Sequence, residues 1–163
     1  MKLFLLRHAQ ADSHHNDFER GLTQKGCEDA GKLGALMAKK MLNPQYIICS
    51  AAKRTQQTLN FLLEGFGTSQ NIDSETSQIL YNAVAGDILK TIQEQSTKTP
   101  LLLVGHNPGI PQLVQILTGE NPAQYNPCTL SVIEYSDISQ WSDISPGDGS
   151  LIEYVLPNSE HLG

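Results

Sequence analysis

Lys2-Leu3-Phe4-Leu5-Leu6-Arg7-His8-Ala9-Gln10 is the stretch on which the fold turns. Leu3 to Leu6 is an unbroken apolar run, as expected of a strand buried on both faces of a sheet. Arg7 and His8 follow at its carboxyl end. A second unit of the same design, Leu101-Leu102-Leu103-Val104-Gly105-His106, lies far downstream and follows Pro100. Tyr46-Ile47-Ile48-Cys49 reads as a further buried strand.

Helical patterns fill the intervals. Thr23 is placed to cap a helix over about 24–40, which Asn43-Pro44 ends. Ser50 is placed as N-cap of a helix running to about Glu64, followed by a turn at Gly65, Gly67, Thr68 and Ser69. Ser77 to Tyr81 reads as a short strand and Gly86 to Gln95 as a helix. Pro108, near the first helical position, opens a helix to Leu117. Ser131 to Tyr135 and Leu151 to Leu156 read as a closing strand pair joined by the turn-rich segment 143–149. Alternating strands and helices predict one domain over 1–163. It is a three-layer α/β/α sandwich with a mainly parallel sheet and an antiparallel edge. Ligands of such sheets bind at the carboxyl ends of the strands. That rule puts Arg7-His8, the segment from Ser50 to Arg54 and Gly105-His106-Asn107 on one rim.

The bulk composition narrows the partners. The chain has 163 residues, 39% apolar and 17% charged, with a net charge of -6. Such an acidic chain lacks a general nucleic-acid surface, and a phosphate site within it must concentrate its few Arg residues. No apolar stretch approaches the roughly 20 residues of a membrane span. No signal-peptide layout is seen, so a cytoplasmic location is expected. Cys27, Cys49 and Cys128 are odd in number and scattered, which fits reduced structural thiols. The run Asp12-Ser13-His14-His15-Asn16-Asp17 lacks a defined ligand spacing, so it reads as a solvated loop near the pocket mouth; neither a metal nor a cofactor is expected.

The rim residues suit phosphoryl chemistry. Arg is a permanently charged fork matched to phosphate oxygens. His8 is the candidate nucleophile and must attack as neutral imidazole, a form that neighbouring cations favour. Arg54, on the first turn of its helix, reaches back to the rim, where the helix dipole also favours anions. Arg20 sits in a loop able to fold over Arg7-His8. His106 can donate to a phosphoryl oxygen, with the Asn107 N–H beside it. Each of these residues has a plain structural alternative, such as a strand-end His or an exposed helix Arg. Their convergence on one rim argues for the site.

Four segments carry a resemblance: Leu6-Arg7-His8-Ala9, Arg20-Gly21-Leu22-Thr23-Gln24-Lys25-Gly26, Ser50-Ala51-Ala52-Lys53-Arg54-Thr55-Gln56-Gln57-Thr58 and Val104-Gly105-His106-Asn107-Pro108-Gly109. In order, spacing and total length the chain resembles the histidine phosphatase, or phosphoglycerate mutase-like, superfamily, and most of all its short SixA-type branch. The likeness runs from Met1 to about Gly119. It implies a phosphoglycerate mutase-like fold without a metal and with His8 as the phosphorylated residue. Arg7, Arg54 and His106 would hold the phosphoryl oxygens, and Arg20 would be an additional phosphate contact. Two departures stand out. Ala51 replaces a usual Pro, which should alter the helix start and leave Arg54 in place. The segment Leu80-Tyr81-Asn82-Ala83-Val84-Ala85-Gly86-Asp87 lacks the Glu that serves many members as proton donor. Asp87 is the nearest acid and is equally placed to cap the next helix.

An alkoxide leaves poorly without an acid, whereas the nitrogen of a phosphohistidine is a far better leaving group. The first expectation is therefore a phosphatase acting on phosphohistidine in a protein. Its partner would be a phosphorylated protein, a His-phosphotransfer domain among the candidates. The alternatives are a small-molecule phosphomonoesterase using Asp87 as acid, and a binding module for phosphorylated ligands without turnover.

Overall fold

The computed structural model describes residues 1–67 and 71–159. Strands β1 (Lys2–Arg7), β2 (Tyr46–Ser50), β3 (Asp73–Ser77), β4 (Leu101–Gly105), β5 (Leu130–Glu134) and β6 (Ser150–Val155) form one sheet in the order β3-β2-β4-β1-β5-β6. The first four run parallel, while β5 is antiparallel to both β1 and β6. Helices α1 (Gln24–Lys39), α2 (Lys53–Phe66), α3 (Ala85–Gln93) and α4 (Gly109–Thr118) cover the sheet.

The strand pleat sorts alternate residues to opposite faces. Leu3 and Leu5 of β1 join Leu101 and Leu103 under α3 and α4, packed on Ile88, Ile92, Ile110 and Leu113. Phe4 and Leu6 join Leu102 and Val104 under α1 and α2, packed on Leu33, Met37, Leu59 and Leu62. Both faces are covered, so β1 and β4 are apolar through their middles, Leu3 to Leu6 and Leu101 to Val104. This is the α/β/α sandwich with an antiparallel edge that the strand and helix pattern predicted.

Several local expectations are corrected. The third strand lies at 73–77 rather than at Ser77 to Tyr81. It is an edge strand of five polar residues, Asp73-Ser74-Glu75-Thr76-Ser77, mostly exposed, so it has no hydrophobic signature. Gly65 belongs to α2, which runs on to Phe66, and Gly67 ends the helix with φ 73°. Gly65 is required there by close approach: a Cβ on it would stand 1.9 Å from the Gly31 carbonyl oxygen of α1. The expected turn residues Thr68 and Ser69 lie outside the described residues. So does the end of the chain from residue 160. Thr23 caps α1 as expected, accepting from the Gly26 N–H at 3.0 Å. Pro108 precedes α4 rather than entering it. Cys27, Cys49 and Cys128 are free thiols, the last two buried. Among the described residues, no helix is long and apolar enough to cross a membrane.

Candidate active site

The register of β1 on β4 builds the site. Arg7 pairs with Gly105, and the His8 N–H donates to the Gly105 carbonyl at 3.0 Å. Two strands that end level with each other thus deliver His8 and His106 side by side, with ring centroids 5.4 Å apart. Both imidazoles are buried. α2 starts at the end of β2, next to β4, and brings in Arg54 as its second residue. The loop before α1 supplies Arg20. All three Arg residues of the chain, Arg7, Arg20 and Arg54, therefore bear on one place.

His8 Nδ1 stands 2.7 Å from the Ala9 carbonyl. A carbonyl only accepts, so Nδ1 carries the proton and Nε2 keeps its lone pair. Burial, then the charges of Arg54, Arg7 and Arg20, push the His8 pKa down to about 4, against the opposing pull of the Ala9 bond. His8 is thus a neutral imidazole at neutral pH. The strand end is braced by Thr58 of α2, whose hydroxyl accepts from the Ala9 N–H at 3.0 Å and donates to the Arg54 carbonyl at 2.7 Å.

His106 is held by Ser50, whose Oγ lies 2.7 Å from Nε2. Ser50 therefore ends β2 and orients an imidazole; it does not cap α2, whose first turn has no side-chain cap. Ser50 Oγ also accepts from the Ala52 N–H at 3.5 Å. Where the hydroxyl proton goes to Nε2, the N–H of His106 is on Nδ1. Burial and the Arg54 charge push the His106 pKa down to about 3.

Arg54 is buried and donates from Nη1 to the Asp17 carbonyl at 2.9 Å and from Nη2 to Asp17 Oδ2 at 3.2 Å. Arg20 donates from Nε to the Asp12 carbonyl at 2.9 Å and from Nη1 to Asp17 Oδ1 at 3.2 Å. Arg7 Nη1 donates to the Tyr125 carbonyl at 2.7 Å. The Asn107 side chain donates to the same carbonyl at 3.3 Å, so it is tied down beside the rim. Three nitrogens of this group, Arg7 Nε, Arg54 Nε and His106 Nδ1, are buried without a hydrogen-bond partner, and both arginine Nε atoms carry a proton. Orphaned buried donors are costly, and a cluster of them on cationic and imidazole groups is the mark of an anion site.

Asp87 is not brought into this group. It is exposed in the first turn of α3, where Val84 rather than Asp87 takes the N-cap position. Sequence reasoning passed over four residues that the structure makes part of the site. Ser50, Thr58 and Tyr125 act through bonds to His106, Ala9 and Arg7, which no local pattern signals. The fourth, Asp17, sat within the loop run and carries the carboxylate shared by Arg20 and Arg54. Tyr81 closes over it: its hydroxyl donates to Asp17 Oδ2 at 2.6 Å, and its ring meets His106 edge-on at 5.9 Å. The adjacent His14 and His15 stack on each other, and among the described residues no group of three His, Cys, Asp or Glu side chains is placed to hold a metal.

A doubly covered α/β sheet with a buried neutral His among three Arg at its carboxyl rim has the make-up of a site for a phosphate-sized anion. The model of the histidine phosphatase superfamily (branch 1) matches residues 3–95, and the chain belongs to that family. Its structure is similar to that of an Agrobacterium tumefaciens protein assigned as the phosphohistidine phosphatase SixA. That likeness has a TM-score of 0.82 and 27% identity, over 96% of this chain and 97% of the other. It is equally similar in fold to the protein histidine phosphatase SixA complexed with tungstate, with a TM-score of 0.82 and 20% identity over 98% and 99% of the two chains. An uncharacterized chloroplastic protein of Arabidopsis thaliana is 28% identical over 174 residues, 97% of this chain and 78% of its own length.

Proposed function

We propose that the protein hydrolyses phosphohistidine on a protein substrate through a covalent intermediate on His8. The observation that carries this reading is the pairing of a neutral imidazole with an Asp17 carboxylate that has no proton to give. Asp17 is held at a pKa of about 2, mainly by the Tyr81 hydroxyl and then by Arg20 and Arg54, so it is ionised; Asp87 is exposed on α3. A monoester alkoxide would leave without help. A phosphorylated imidazole, protonated on its other nitrogen, leaves as a neutral ring.

Arg7, Arg54 and His106 receive the phosphoryl oxygens through the donors left unpaired, and Arg20 adds charge at the edge. The His8 Nε2 lone pair forms a bond to phosphorus as the substrate P–N bond breaks, its electron pair departing with the leaving nitrogen. Nδ1–H stays on the Ala9 carbonyl, so phosphorylated His8 is itself an imidazolium. Water then attacks phosphorus, His8 leaves neutral, and dihydrogen phosphate is released. Electrostatic stabilisation of the moving phosphoryl group does most of the work. No cofactor enters these steps.

The test compares phosphate release from a phosphohistidine peptide and from p-nitrophenyl phosphate, with covalent labelling of the protein by a phosphodonor. Faster turnover of the peptide and loss of labelling in His8→Ala are expected. Preference for the ester, with a strong loss in Asp87→Asn, would instead favour a phosphomonoesterase. Tight binding of vanadate without turnover of either would favour a binding module.

A further inference from the structure

Asp17 lies at the mouth of the site. Its side chain is 48% exposed, whereas the Arg54 side chain that it contacts is 5% exposed. The carboxylate thus stands on the solvent side of the guanidinium. In an in-line transfer the leaving group departs opposite the nucleophile. With His8 buried at the strand ends, the leaving group lies towards this mouth.

The carboxylate is fixed by three donors: Tyr81 Oη and Arg54 Nη2 on Oδ2, and Arg20 Nη1 on Oδ1. Two carboxylate oxygens offer about four acceptor sites. Oδ1 therefore retains one. A carboxylate beside a phosphate site repels a dianion and is misplaced if the site serves only phosphate. It is well placed if the group departing past it is a cation.

We propose that Asp17 is the specificity-determining residue of this site: its Oδ1 accepts the free ring N–H of the substrate's phosphoryl-imidazolium and holds that ring protonated while the P–N bond breaks. This rests on the phosphohistidine reading and deepens it. The ring arrives with its proton on the far nitrogen and departs neutral, still hydrogen-bonded to Oδ1. No proton moves between protein and substrate, so the missing acid is not needed. A phosphomonoester has no such N–H and meets only the repulsion. The charged or titratable groups around Asp17 are Arg20 from its own loop, Arg54 from α2, Tyr81 from the β3–α3 segment and, through space, His106.

The experiment measures kcat/KM for a phosphohistidine peptide and for p-nitrophenyl phosphate in the wild type, Asp17→Asn and Asp17→Glu. Asp17→Asn should lose about tenfold to a hundredfold more on the peptide than on the ester, the fold-change of a lost hydrogen bond between charged groups. Asp17→Glu should recover part of the loss on the peptide alone. The alkaline limb of the kcat–pH profile on the peptide, which reports the bound ring, should move to lower pH in Asp17→Asn, because the ring then loses its proton sooner, while the ester's limb stays. Equal losses on both substrates, or an unmoved alkaline limb, would reduce Asp17 to a brace for Arg54 and overturn the inference. A wild type that turns over the ester and not the peptide would instead sink the phosphohistidine reading, and this inference with it.

Discussion

Arg54 and His106 carry buried nitrogens left unpaired, and each is held by a residue of another segment, Asp17 and Ser50. Arg54→Ala and His106→Ala are expected to lower kcat by an amount equivalent to about 2–4 kcal/mol, the usual effect of losing one preorganised donor. Ser50→Ala should cost less, about 0.5–1.5 kcal/mol, because it removes one neutral hydrogen bond and leaves the imidazole in place. Steady-state kinetics on the phosphohistidine peptide check both. A Ser50→Ala loss as large as that of His106→Ala would mean that the ring turns away once the hydroxyl is gone. These positions also mark how far local reading reaches. Arg7, His8, Arg54 and His106 were legible because each sits at a strand end or helix start that the apolar pattern locates. Asp17 was not, because a carboxylate in a polar loop looks the same whether or not two arginines close on it.

Contact between α1 and α2 sets where Arg54 sits relative to the strand ends. That contact is made backbone to backbone: a Cβ on Gly65 would meet the Gly31 carbonyl oxygen at 1.9 Å, and one on Gly34 the Leu62 carbonyl oxygen at 1.9 Å. Replacing a helix glycine by alanine normally gains about 1 kcal/mol. Here the clash is with backbone, and overpacking of this kind costs about 1–3 kcal/mol or more. Gly65→Ala should therefore destabilise the protein. Gly86→Ala in α3, where a Cβ would meet nothing within 4 Å, should stabilise it by up to about 1 kcal/mol. Denaturant unfolding of the two variants gives the signs directly. Gly65 looked like a helix end from its sequence, since glycine breaks helices in isolation. The reason for its place inside α2 is another helix. For the same kind of reason β3 escaped detection: its pairing with β2 makes it a strand, and its own polar residues carry no period that says so.

Burying two neutral histidines beside three arginines makes the stability of the whole protein depend on pH. The folded-state pKa values, about 4 for His8 and about 3 for His106, lie below that of an unfolded chain, about 6.5. Below pH 6.5 the unfolded state therefore binds more protons, and stability rises with pH across this window. The contribution is complete above about 6.5 and is lost as pH falls towards the folded values. The loss between pH 7 and pH 4 should be on the order of 3 kcal/mol for each ring. Thermal unfolding should show a Tm that falls over this interval, and less steeply in His106→Asn. An equally steep fall in that variant would assign the slope to other groups.

The amino-acid sequence by itself determined the sandwich, its antiparallel edge and where in the fold the four strand-end and helix-start residues of the candidate site would lie. Buried strands and amphipathic helices are local hydrophobic patterns, and in such sheets the carboxyl rim follows from topology. Only the tertiary structure decided which side chains brace that rim. Ser50 on His106, Thr58 on Ala9 and Tyr125 on Arg7 are hydrogen bonds between segments 49 to 118 residues apart. It also decided the standing of the two acids. Asp87, nearest to the expected donor in sequence, points from an exposed helix turn, while Asp17 is drawn into the cationic mouth by Arg20, Arg54 and Tyr81. A charge's role depends on what surrounds it in space, and that is set by packing.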